Sequence, residues 1–112
     1  MIHVLTRAAT QTQIDEMLET LGSYIKLAVD VERGWVAGGG ELHADCETAL
    51  LDAGCLQEDV WGADWLPSGE VRFGSLINIR PRQGNRSLEI QSKELRQKVE
   101  QIARAIFEGH QP

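Results

Sequence analysis

Ile25-Lys26-Leu27-Ala28-Val29-Asp30-Val31-Glu32-Arg33-Gly34-Trp35-Val36-Ala37-Gly38-Gly39-Gly40-Glu41-Leu42-His43-Ala44-Asp45-Cys46-Glu47 is the stretch that decides the architecture. Ile25, Leu27, Val29 and Val31 alternate with Lys26, Ala28, Asp30 and Glu32, the period-two pattern of a strand with one buried face. That pattern puts Asp30 and Glu32 together on the more polar face. Arg33-Gly34 reads as a tight turn into a returning arm, Trp35-Val36-Ala37, and the three glycines end the hairpin. From Glu41 to about Ala53, Leu42, Cys46, Ala49, Leu50 and Ala53 recur at helical spacing, and Gly54 stops them.

The same periodicities extend outward in both directions. Residues 2 to 6 fit a short first strand. Thr10, with Gln13 three places on, forms a capping box for a helix over 11 to 21, carried by Ile14, Met17, Leu18 and Leu21 and closed by Gly22. Val60 to Leu66 reads as a strand with Trp61, Ala63 and Trp65 on one face and Val60, Gly62 and Asp64 on the other. After the Pro67-Ser68-Gly69 turn, alternation predicts two more strands, over 70–73 and 76–80; Pro81 interrupts the second, and Gly84-Asn85 makes a loop. A last helix begins near Ser92, with Leu95, Val99, Ile102 and Ile106 on one stripe, and frays at Gly109. Strands joined by short turns imply a mostly antiparallel sheet. The expected fold is α+β, a two-layer sandwich of that sheet with about three helices, formed by residues 1–112 as a single domain.

Charge and composition exclude several function classes. A formal charge of −6 and a pI near 5.0 argue against sequence-independent nucleic-acid binding, which depends on a broad basic surface. Any anion site must be local. The apolar runs fall far short of the ~20 residues that span a bilayer, and Met1-Ile2-His3 lacks a basic-then-apolar leader pattern, so a cytoplasmic location without membrane attachment is expected. Cys46 and Cys55 fit the same setting as buried, reduced thiols.

Two polar clusters carry the candidate chemistry. In Asn78-Ile79-Arg80-Pro81-Arg82-Gln83-Gly84-Asn85-Arg86-Ser87, three guanidinium forks stand beside amide and hydroxyl groups. Arg80, Arg82 and Arg86, with Asn78 and Asn85 orienting the ligand, would suit a phosphorylated small molecule or a short RNA segment. The alternative is that these arginines pair with the chain's own acids, within one chain or across a homodimer. The second cluster is acidic. Asp30, Glu47 and Asp64 follow the strand–helix–strand order of folds similar to ribonuclease H, and would serve as the catalytic carboxylates of a metal-dependent hydrolase or nuclease. His43, Asp45 and Glu47 lie within one helical turn or so and are the weaker metal-ligand candidates, with His43 as ligand or general base.

Several sharper readings fail on the residues. His43-Ala44-Asp45 has Asp where the zinc-deaminase motif needs Glu, and no Pro-Cys-x-x-Cys follows. Cys46 is flanked by two acids that disfavour a thiolate nucleophile. Gly38-Gly39-Gly40 lacks the Lys-Ser or Lys-Thr of a P-loop and the G-x-G-x-x-G spacing, so no cofactor is expected. Trp35, Trp61 and Trp65 read as core and not as a stacking surface for bases.

The runs Lys26 to Glu32 and Ala37 to Glu47, together with Gln57-Glu58-Asp59, Trp61-Gly62-Ala63-Asp64-Trp65, Ile77-Asn78-Ile79-Arg80-Pro81 and Asn85-Arg86-Ser87, resemble a family of short bacterial proteins, cyanobacterial ones included, of unassigned function. The resemblance spans nearly the whole chain. It implies a stand-alone bacterial domain and carries over no catalytic or binding residue.

Overall fold

The computed structural model describes residues 1–109. The elements run β1 (His3–Leu5), α1 (Gln11–Leu18), β2 (Ile25–Asp30), β3 (Trp35–Gly38), α2 (His43–Asp52), β4 (Val60–Trp65), β5 (Val71–Arg72) and α3 (Lys93–Glu108), with 3₁₀ turns at Gln57–Asp59, Leu76–Asn78 and Pro81–Gln83. All strand pairs are antiparallel, in the spatial order β1-β3-β2-β4-β5. The described residues thus form an α+β fold with three helices on a five-stranded antiparallel sheet. No helix among the described residues is long and apolar enough to cross a membrane.

The period-two pattern sorts the sheet faces. Cross-strand partners Leu27 and Ala63, Val29 and Trp61, and Ile25 and Trp65 point one way. There they meet Ile14 and Met17 of α1 and Val99, Ala103, Ile106 and Phe107 of α3. Trp65 stacks on Phe107 with ring centroids 4.7 Å apart, an arrangement worth about 0.5–1.5 kcal/mol beyond the area it buries. On the opposite face Ala28, Ala37 and Val60 receive Cys46 and Leu50 of α2. Trp61 and Trp65 are core residues, while Trp35 is half-buried beneath the Arg33 guanidinium.

Local signals placed the helix starts. Thr10 Oγ1 accepts the Gln13 N–H at 3.1 Å, and Gln13 Oε1 accepts the Thr10 N–H at 2.9 Å. Ser92 Oγ likewise accepts the Leu95 N–H at 3.2 Å. The glycine run is a packing seam: a Cβ on Gly39, whose φ is 98°, would collide with the Met1 carbonyl and with Met17.

Three expectations are corrected. The expected two layers are three, because α1 and α3 cover one face of the sheet and α2 covers the other. β2 stops at Asp30, because Asp30 Oδ1 accepts the N–H groups of Glu32 and Arg33 at 2.8 and 2.9 Å and turns the chain two residues early. Glu32 therefore sits in the turn and shares no strand face with Asp30. The strand expected over 76–80 does not form, and its place along β4 is taken by a 3₁₀ turn and two side chains.

Candidate ligand cleft beside the β4 edge

β5 pairs only with Asp64 and Trp65, which leaves the outer edge of β4 open from Val60 to Gly62. An open edge exposes unpaired backbone groups, and here two side chains close it. Asn78 is fully buried. Its Oδ1 accepts the Gly62 N–H at 2.8 Å and its Nδ2 donates to Gly62 O at 3.0 Å, so one side-chain amide does the work of a strand residue. Nδ2 also reaches Phe73 O and Leu88 O, at 3.0 and 3.2 Å. The approach requires glycine opposite: a Cβ on Gly62 would stand 2.6 Å from Cβ of Ser75.

Arg80 closes the rest of the edge. Nε donates to Ile77 O at 2.8 Å; Nη1 donates to Gln57 O at 2.7 Å and to Gln83 Oε1 at 3.4 Å; Nη2 donates to Glu47 Oε2 at 3.3 Å and to Val60 O. A guanidinium has five N–H groups, and all five are taken. The plane also lies over Trp61, 4.5 Å from the ring centroid. Burial lowers the Arg80 pKa from its usual value, and Glu47 opposes that shift.

Of the other residues of the expected anion site, Asn85 is bridged to Arg80 by two backbone hydrogen bonds and Arg82 lines the same cleft, but their side chains have different employment. Asn85 Nδ2 is shared among the carbonyls of Asn78, Ser87 and Glu89, and Oδ1 accepts the Gln91 N–H, so its amide holds the 78–91 loop together. Arg86 is exposed on that loop and lies outside the cleft wall. Arg82 differs from both: it is exposed, lines the cleft and has no ion pair or side-chain hydrogen bond among the described residues.

The cleft itself has a volume of about 590 Å³. Leu76, Ile77, Ile79 and Pro81 give it apolar walls; Gln57, Glu58 and Gln83 supply polar groups, and Arg80 with Glu47 forms part of the floor. The alternation over 76–80 assigns Leu76 and Ile79 to a strand. Their apolar side chains, with Ile77 between, fall on both faces of any strand there, and that surplus was the signal for a surface wall.

The acidic convergence required by a metal-dependent hydrolase is not formed. Asp30 pairs across β2 and β4 with Val60, whereas Asp64 pairs with Lys26, four residues along, or about 13 Å. Asp30 is fully buried at the turn it caps, Glu47 is held by Arg80, and Asp64 contacts His43 and Arg72 at 2.9 and 3.5 Å. His43 Nε2 faces two acceptors, Asp64 Oδ1 and Ala63 O, so that nitrogen carries a proton and is not a metal ligand in this arrangement. Asp45 is exposed in the first turn of α2, where it complements the helix dipole. No group of three His, Cys, Asp or Glu side chains able to hold a metal ion occurs among the described residues.

Residues 3–106 match the family model described as protein of unknown function DUF5674. The chain belongs to the DUF5674 family. No curated protein and no solved structure shows significant similarity to it. The two thiols of this DUF5674 chain are both free and buried. Burial pushes Cys46 up to about 11, and burial with the neighbouring Asp30 does the same for Cys55, so neither is a nucleophile at neutral pH.

Proposed function

We propose that the protein is a binding or accessory module, and that its site is the cleft beneath Arg82. The ligand class this favours has an apolar body and one anionic group. The observation that carries the reading is the pairing of an uncommitted guanidinium with apolar walls around about 590 Å³, a size typical of ligand clefts. In this reading Arg82 meets the anion, and Gln57 and Gln83 offer further hydrogen bonds. Arg80, Asn78 and Asn85 hold the wall in place, and Arg86 plays no part.

The test is calorimetric titration of octanoate, adenosine monophosphate, inorganic phosphate and a short single-stranded RNA into the purified chain. Octanoate is expected to bind saturably and to lose at least tenfold in affinity in Arg82→Ala, with Arg86→Ala unaffected. Absence of binding by every probe, or equal binding by Arg82→Ala, would overturn the reading. A bacterial cytoplasmic setting belongs to the same proposal, supported by two buried thiols without a bridge. Recovery of the native protein from the periplasmic or secreted fraction would refute it.

A further inference from the structure

Leu76 is the most exposed large apolar side chain among the described residues, at 78 %. It stands on the wall of the Arg82 cleft, and with Ile77 it also borders a second hollow of about 270 Å³ that His43 and Leu42 line. Ile79, on the cleft wall, is exposed as well. Clustered exposed apolar side chains mark a surface that is covered in use. The rim of the same cleft carries one charge of each sign: Arg82, and Glu58, whose carboxylate also has no ion pair among the described residues.

We infer that the occupant of the cleft is a second copy of this chain. In the two-fold dimer Leu76 of each copy enters the cleft of the other, and Arg82 of each meets Glu58 of the other. The inference rests on the reading of the cleft given above, with Leu76 as the apolar body and Glu58 as the anion, so octanoate and the second copy compete for one site and bound octanoate should shift the dimer toward monomer. A knob beside a hole, with an acid and a base on one rim, is self-complementary under a two-fold axis, since every contact made by one copy is returned by the other. A partner of different sequence would need to reproduce both elements. This chain already displays them side by side, and the two contributions from the second copy complete each site.

Sedimentation equilibrium of the full chain at about 50 μM, where a micromolar interface is largely assembled, decides the matter. The wild type is expected to be a dimer, and Leu76→Asp a monomer with the wild-type far-UV circular dichroism, because the side chain replaced makes little contact within its own fold; its melting temperature should fall only by the lost dimer contribution and should no longer depend on protein concentration. Arg82→Glu and Glu58→Arg should each weaken association at least tenfold, and the two together should restore it. A monomeric wild type, a dimer indifferent to Leu76→Asp, or a doubly reversed variant as weak as the single ones would overturn the inference. Octanoate separates the two readings. A monomer that binds it through Arg82 would sink the dimer and leave the cleft reading standing, whereas a dimer with the stated dependences and no octanoate binding would keep the dimer and remove the small-molecule ligand.

Discussion

Arg80 Nη2 lies 3.3 Å from Glu47 Oε2, with the two side chains only 10 % and 13 % exposed, and the pair ties the loop after β5 to helix α2. Four backbone or amide acceptors around the same guanidinium mean that its removal orphans more than one partner. Removing one member of a buried pair costs about 3–5 kcal/mol, and Arg80→Ala should lower the free energy of urea unfolding by that order. Arg80→Lys should recover less than half, because an ammonium has three donors for five acceptors. Arg82→Ala, at an exposed guanidinium without an ion pair or side-chain hydrogen bond among the described residues, should stay within about 0.5 kcal/mol of wild type. Equal stability of Arg80→Ala and wild type would show that the pair is ornamental.

The Gly62–Asn78–Ser75 contact makes a second prediction. Gly62→Ala places a methyl group 2.6 Å from Cβ of Ser75 and forces the 3₁₀ turn away from β4, at a cost of about 1–3 kcal/mol. Adding Ser75→Gly should return part of that loss, since it removes the atom that is struck. Asn78→Leu keeps the volume but leaves Gly62 N–H and C=O unpaired, and should cost at least as much as Gly62→Ala. A double-mutant cycle read by chemical denaturation checks the coupling; additivity of the Gly62 and Ser75 changes would refute it.

Divalent cations test the reading that the structure does not favour. Because Asp30, Glu47 and Asp64 are held apart by different partners, millimolar Mg²⁺ or Mn²⁺ should leave the melting temperature unchanged. A rise that disappears in the Asp30→Asn, Asp64→Asn double variant would bring the hydrolase back.

What the sequence made legible was local. The Thr10 box, the Ser92 cap and the 25–37 hairpin depend on residues two to four apart; the box and the cap are present as read, and the hairpin forms with its first arm ending at Asp30 and not at Glu32. The roles of Asn78 and Arg80 are not legible because their partners are distant in the chain: Gly62 is 16 residues from Asn78, and Val60, Gln57 and Glu47 are 20, 23 and 33 residues from Arg80. Composition cannot tell a guanidinium saturated by carbonyls from one left free. Arg80 and Arg82 look alike in sequence, and only the open stretch of the β4 edge separates them.

Cys46 ties the core to pH. Its thiol, pushed from 9.0 to about 11 chiefly by burial beneath α2, is neutral in the fold at a pH where the unfolded chain has begun to ionise. A raised folded pKa means that the stabilisation is complete below about pH 9 and is lost as pH climbs through about 11, at up to about 1.4 kcal/mol per unit. Other groups titrate in the same window, so the informative quantity is a difference: the denaturation midpoint of wild type should fall more steeply between about pH 8.5 and 10.5 than that of Cys46→Ala. The alanine variant starts lower, having lost a packed sulfur, and the two curves should converge as pH rises. Parallel curves would mean that the thiol ionises as freely in the fold as out of it, and that the contact from Sγ to the Lys26 carbonyl, 3.4 Å away, does not hold the proton.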